Sequence, residues 1–155
     1  MVTIIHNMKK ITTNERRKLN KWNITREGIS KFFLLNNNQW LKIVFSYTSS
    51  SNIWFETIVV ANSKRECNDC VNKTENSPKV IYGHSTGKKI GLEAFKIALD
   101  ELLKFEKTVH NVQINIVGAS DRLNRIYKYL NRYGYLEYNY IKNKKPVTMM
   151  YKKIS

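Results

Sequence analysis

Cysteine is scarce in this chain, at two in 155 residues, which excludes a disulfide-stapled scaffold. No apolar run approaches the roughly 18 residues of a membrane span. The opening MVTIIHNMKKITTNERRK has too short an apolar stretch for a secretory signal. No internal repeat and no linker divides the sequence, and its length suits one domain. Acidic residues are few, with 12 Asp and Glu against 27 Lys and Arg, for a net charge of +15. That balance excludes an ordinary neutral surface and makes polyanions natural partners. What is plentiful is apolar side chain, at 42%, the proportion of a folded globular protein. A cytosolic, basic α/β protein with no membrane segment is the expectation.

The charge lies at the two ends. Residues 1–45 carry nine basic and two acidic side chains, 46–118 nine and eight, and 119–155 nine and two. Residues 2–6 read as a short β-branched strand, and Thr12 and Thr13 open a charged helix. Thr25 is a good N-cap, and Ile29, Phe32 and Phe33 at three-to-four spacing predict a second helix ending near Asn36–Asn38. Trp40–Thr48 and Ile53–Ala61 read as a hairpin of two strands. Residues 62–78, poor in large apolar groups, read as a mobile loop. A short strand at Val80–Tyr82 runs through GHSTGKKIG into an amphipathic helix, LEAFKIALDELLKFEK. VQINIV, 112–117, is a strand. A helix over 121–133 follows, ended by Gly134. Two strands, 135–141 and 147–154, close the chain. The order β-α-α-β-β-β-α-β-α-β-β implies an α/β fold with a mixed sheet and helices on both faces.

One turn carries chemistry. A strand that feeds a Gly-bounded turn at a helix N-terminus suits phosphate, because the first-turn amides and the helix dipole both favour an anion. Here the turn is Thr86-Gly87-Lys88-Lys89-Ile90-Gly91. As a P-loop it fails: the spacing from Gly83 is one residue short, and Lys89 stands where the Mg²⁺-binding hydroxyl belongs. It is more similar to the R/Q-x-x-G-x-G/A turn of the GNAT N-acetyltransferase superfamily. The element order resembles that superfamily from end to end. Ser120-Asp121-Arg122-Leu123-Asn124-Arg125-Ile126-Tyr127 is similar to its N-x-x-A-x-x-L-Y segment, and Tyr133-Gly134-Tyr135 to the L-G-F that follows. Thr86 replaces the usual Arg, Lys89 the second Gly and Ser120 the Asn. The helix beyond Tyr127 is three residues longer than the pattern.

The resemblance implies a single GNAT-like domain over residues 1–155, an acyl-CoA-dependent N-acyltransferase with acetyl-CoA as co-substrate. In such enzymes an amine attacks the thioester directly within a ternary complex. Carried over, the fourth-strand backbone at Ile81 and Tyr82 would orient the thioester carbonyl. Thr86, Gly87, Lys88, Lys89, Ile90, Gly91 and Ser120 would hold the cofactor, and Tyr127 would protonate the leaving thiolate. Glu56, mid-strand beside Phe55, would take the amine's proton if burial raised its pKa, the plain alternative being the solvated face of a hairpin. A rival reading is a non-catalytic module on the same fold, engaging nucleic acid or an acidic protein. For it, Arg122, Arg125, Lys128 and Arg132 fall on one helix face, opposite the apolar one. Tyr135, Tyr138, Tyr140 and Tyr151 alternate with polar residues in the last hairpin, where aromatic cross-strand packing is expected, with base stacking as the alternative. No metal site is expected, because Cys67 and Cys70 form a lone C-x-x-C.

Overall fold

The computed structural model describes residues 22–25, 28–74, 91–117 and 128–155. Among these residues the architecture is α/β, built on one mixed sheet of seven strands in the order β1-β2-β3-β4-β5-β7-β6. In chain order the elements are β1 (Asn23–Thr25), β2 (Gly28–Leu34), β3 (Trp40–Thr48), β4 (Ile53–Ala61), α1 (Lys64–Thr74), α2 (Leu92–Glu106) and β5 (Val112–Val117). A 3-10 helix (Lys128–Tyr133), β6 (Leu136–Lys142) and β7 (Lys145–Ile154) complete it.

The first four strands form an antiparallel meander. WLKIVFSYT and IWFETIVVA are rich in β-branched and aromatic residues, and Asn38 and Asn52 supply positive φ in the connections after β2 and β3. β4 then pairs with β5 in parallel, Trp54 opposite Ile114 and Glu56 opposite Ile116. β7 pairs antiparallel to the other edge of β5, and β6 closes the sheet as an edge strand.

Strand alternation sorts side chains into two layers. Leu41, Ile43 and Phe45 of β3, Trp54, Ile58 and Val60 of β4, and Ile114 and Ile116 of β5 share a core with Ala94, Ala98, Leu102 and Phe105 of α2. Phe105 stacks on Phe45 at 4.0 Å between centroids and meets Trp54 edge-on at 5.2 Å. Such pairs add about 0.5–1.5 kcal/mol beyond their burial. The alternating set, Val44, Val59 and Ala61, packs with Cys67 of α1.

Two expectations need correction. The helix expected from Thr25 is a β-hairpin instead: Thr25 pairs with Gly28, and β2 pairs with β3 along its length. Gly28 has φ +139 and lies so close to Phe45 that a Cβ would meet its carbonyl oxygen at 1.9 Å. The three-to-four spacing arises because Ile29 and Phe33 sit on one face of the strand while Phe32 points to the other, edge-on to Trp40. The mobile loop expected over 62–78 holds α1. Ser63 accepts from the Glu66 amide at 3.1 Å while Glu66 accepts from the Asn62 amide at 3.0 Å, a reciprocal cap. Both edges of β5 are taken, by β4 and β7, so the parallel contact belongs to β4. The elements expected over 2–6, 12–22, 80–82 and 121–127 lie, wholly or almost wholly, outside the described residues.

The end of the expected last helix is 3-10 over Lys128–Tyr133. Gly134 does terminate it, at φ 90. The Gly134 amide donates to Asn131 and the Tyr135 amide to Leu130, which is the Schellman pattern.

Candidate functional site

The residue that stands out is Glu56. It lies at the centre of β4 in the same row as Trp54, Ile58 and Val60, so its side chain enters the layer beneath α2. Its register neighbours are Phe45 on β3 and Ile116 on β5, both apolar. Glu56 is 2% exposed, and its Oε2 has no hydrogen-bond partner among the described residues. Burial pushes its pKa from 4.5 up to about 8, since a charged carboxylate is costly away from water. It is therefore largely neutral at pH 7 and able to exchange its proton just above. The solvated hairpin face, the plain alternative for this residue, is excluded.

Three more residues belong to the same layer; Glu106 and Lys152 escape the sequence patterns, and Tyr135 enters them only as one of the alternating hairpin tyrosines and in the Tyr133-Gly134-Tyr135 segment. Glu106 ends α2 and leaves Oε1 without a partner, while its Oε2 accepts from Lys152 Nζ at 3.2 Å. Lys152 also donates to the Tyr133 carbonyl at 2.8 Å, capping the 3-10 helix, and its ammonium lies 5.7 Å from the Tyr135 ring. Tyr135 is 1% exposed and its hydroxyl has no partner of good geometry. Burial first, then the negative charge of nearby Glu106 and, more weakly, of Glu56, push its ionisation far up, so the phenol keeps its proton. A buried polar tract thus runs from β4 to the start of β6, two carboxyl groups and a phenol against one ammonium. Strand parity is the available signal: Tyr135 falls opposite Lys152, on the face that also carries Met150, Ile116 and Glu56.

Of the residues expected to bind the cofactor, Gly91 alone is described. It is the exposed N-cap of α2, with extended backbone and no side-chain cap, and a Cβ there would meet nothing within 4 Å. The first turn of α2 carries Glu93, whose carboxylate accepts from the Asn36 amide at 3.1 and 3.2 Å. Ile81, Tyr82, Thr86, Gly87, Lys88, Lys89, Ile90 and Ser120 lie outside the described residues, as do Tyr127, Arg122 and Arg125. Lys128 and Arg132 are exposed, as expected, but each has an intramolecular partner. Lys128 Nζ is 3.6 Å from Glu137, and the Arg132 guanidinium covers the Tyr129 ring at 4.4 Å. Because both sit in a 3-10 helix, the 100° wheel that groups them with Arg122 and Arg125 does not apply to them.

No family model matches the chain, and no curated protein matches it. No helix among the described residues is long and apolar enough to cross a membrane.

Proposed function

We propose that the chain is a diverged GNAT-like N-acyltransferase that uses acetyl-CoA, with Glu56 as the proton acceptor. The observation that carries this reading is the buried Glu56 carboxyl, whose Oε2 has no hydrogen-bond partner among the described residues, with a pKa lifted to about 8, on the strand that makes the parallel contact. A general base works best when its pKa lies near the operating pH. The order of elements supports the reading: an antiparallel meander joined through one parallel contact to β5, β7 and β6, with α1 against one layer of side chains and α2 against the other. So does the start of α2 at Gly91, the last residue of the glycine-bounded turn.

In this scheme the first-turn amides of α2, with Gly87, Lys88, Lys89 and Ile90 before them, hold the pyrophosphate. The backbone of β4 replaces Ile81 and Tyr82 as the edge that orients the thioester carbonyl, because β4 is the strand beside β5. The neutral amine attacks the thioester carbon. A C–N bond forms, the C–S bond breaks, and the proton shed by nitrogen passes to ionised Glu56. The thiolate takes a proton from Tyr127.

Isothermal titration with acetyl-CoA and a transfer assay on a panel of primary amines test the proposal. Binding with free thiol released in step with amide formation is the expected result. Absence of acetyl-CoA binding overturns it.

A further inference from the structure

The last hairpin carries a surface that the acyltransfer reading does not use. β6 and β7 pair from Leu136 opposite Tyr151 to Lys142 opposite Lys145. Alternation places Tyr138, Tyr140, Lys142, Met149, Tyr151 and Lys153 on one face of that hairpin. The only acidic residue of the two strands, Glu137, falls on the other face, opposite Met150, where it neighbours Lys128 at 3.6 Å. The first face also carries exposed Leu136, with Val147 and Met149 packed against Phe55, and it holds aromatic rings and cations with no carboxylate from either strand. Tyr138 is 54% exposed, and Tyr140 and Tyr151 are half-buried. The Tyr138 and Tyr140 rings are 6.0 Å apart and tilted by 27°, so two aromatic faces stand side by side and nearly parallel. Lys142 continues the same row toward the turn, and Lys153 stands exposed at the other end of the face. Among the described residues β6 is the sheet edge, which leaves this row open along one side.

We propose that this face binds single-stranded nucleic acid, with bases stacking on Tyr138 and Tyr140 and phosphates meeting Lys142 and Lys153. Three chemical features select that partner. Aromatic rings in water favour other π-faces, and every base offers one. The spacing of side chains two apart on a strand, about 6.6 Å, suits successive bases of an unstacked strand but not the tighter stack of a duplex. The flanking ammonium groups answer the phosphates, and the overall charge of +15 draws a polyanion toward the surface. An acidic protein would use the lysines but leave the paired rings without a matching surface. This inference is independent of acyl transfer, and neither stands on the other.

Fluorescence anisotropy with labelled oligo(dT) and oligo(U) of about twelve nucleotides, beside a duplex of equal length, tests it. Wild type should bind the single strands at low salt and the duplex more weakly. Tyr138→Ala and Tyr140→Ala should each weaken binding about tenfold, while Tyr138→Phe and Tyr140→Phe keep it, because the ring and not the hydroxyl stacks. The double change Lys142→Gln with Lys153→Gln should reduce the slope of log K against log[salt] by about 1.4, at about 0.7 per single-strand phosphate. Circular dichroism melting of each variant separates lost binding from lost folding, and the lysine variants remain informative if an alanine variant melts early. Failure of wild type to bind single strands at low salt overturns the proposal. So does affinity unchanged in the double alanine variant, or a duplex bound as tightly as the single strand.

Discussion

Tyr135 and Tyr138 stand three residues apart in one stretch of chain and in opposite surroundings. Tyr135 is sealed beneath α2, its hydroxyl without a partner, in the field of two carboxyl groups. Tyr138 lies on the reverse of the same hairpin, in water, beside another ring and among lysines. The difference is one of parity. An odd step along a strand carries a side chain through the sheet, from a medium where charge is costly to one where it is nearly free. The same parity puts Glu56 and Phe55 of β4 on opposite faces, with Phe55 buried against Val147 and Met149. At the last hairpin the sheet thus turns one side to a dry layer, where Glu56 keeps its proton, and the other to water, where Tyr138 and Lys153 are exposed; nearer α1 the second face is buried as well, by Val44, Val59 and Ala61.

That contrast can be broken most forcefully at Phe105, which stacks on Phe45 in the dry layer. Phe105→Ala should cost about 3–5 kcal/mol in chemical denaturation, whereas Tyr138→Ala should change stability by less than about 0.5 kcal/mol. Equal effects would mean that the two faces are not different media.

A smaller effect sharpens the contrast through pH. Burial lifts Glu56 from 4.5 to about 8, so between those values the native state holds a proton that the unfolded chain has released. Its contribution to stability therefore declines as pH rises through that interval and levels off above about 8. The groups nearby in this layer are Tyr135, Glu106 and Lys152. Glu56→Gln keeps the shape of the neutral form. Melting temperatures of the two proteins should nearly coincide at pH 5 and separate by pH 9, with the glutamine variant the more stable. A constant difference across that range would place Glu56 in contact with water.

The smallest effect expected is at the tyrosine hydroxyls. Tyr135→Phe removes a buried polar atom that has no partner and should be neutral or stabilise by about 1 kcal/mol. Tyr138→Phe should leave the melting temperature unchanged. A loss on Tyr135→Phe would show that its hydroxyl holds a bond to Glu106.

Elements with a strong local signal are legible in the residues alone. β3, β4 and β5 match their predicted bounds, and α2 matches to within one residue, because β-branched runs and a wide apolar helical stripe each have one reading. β2 is not legible, since Ile29, Phe32 and Phe33 satisfy a helical spacing while serving two faces of a strand buried on both sides. The signal against a helix is Gly28, whose backbone conformation is fixed by the approach of Phe45, a contact between segments far apart in sequence. α1 is hidden for the opposite reason. Its composition is polar, and its one local signature, Ser63 and Glu66 at capping-box spacing, is outweighed by the absence of large apolar residues. Glu56 is a candidate from its position alone. Its burial depends on α2 crossing the row that contains it, and no pattern within β4 records that crossing. Glu106, Tyr135 and Lys152 come together only when β7 enters between β5 and β6, which is a property of topology.

In the proposed reaction the buried Glu56 carboxyl accepts the proton of the acyl acceptor, and everything else in the scheme is arranged around that transfer. Single-turnover acetyl transfer from acetyl-CoA to a primary amine, followed against pH for wild type and Glu56→Gln, tests it most directly. A proton acceptor at this position predicts a wild-type rate that climbs as Glu56 ionises, with a midpoint near pH 8, and a variant slowed at least about a hundredfold that lacks this titration. A variant with the wild-type rate and the same midpoint would contradict it.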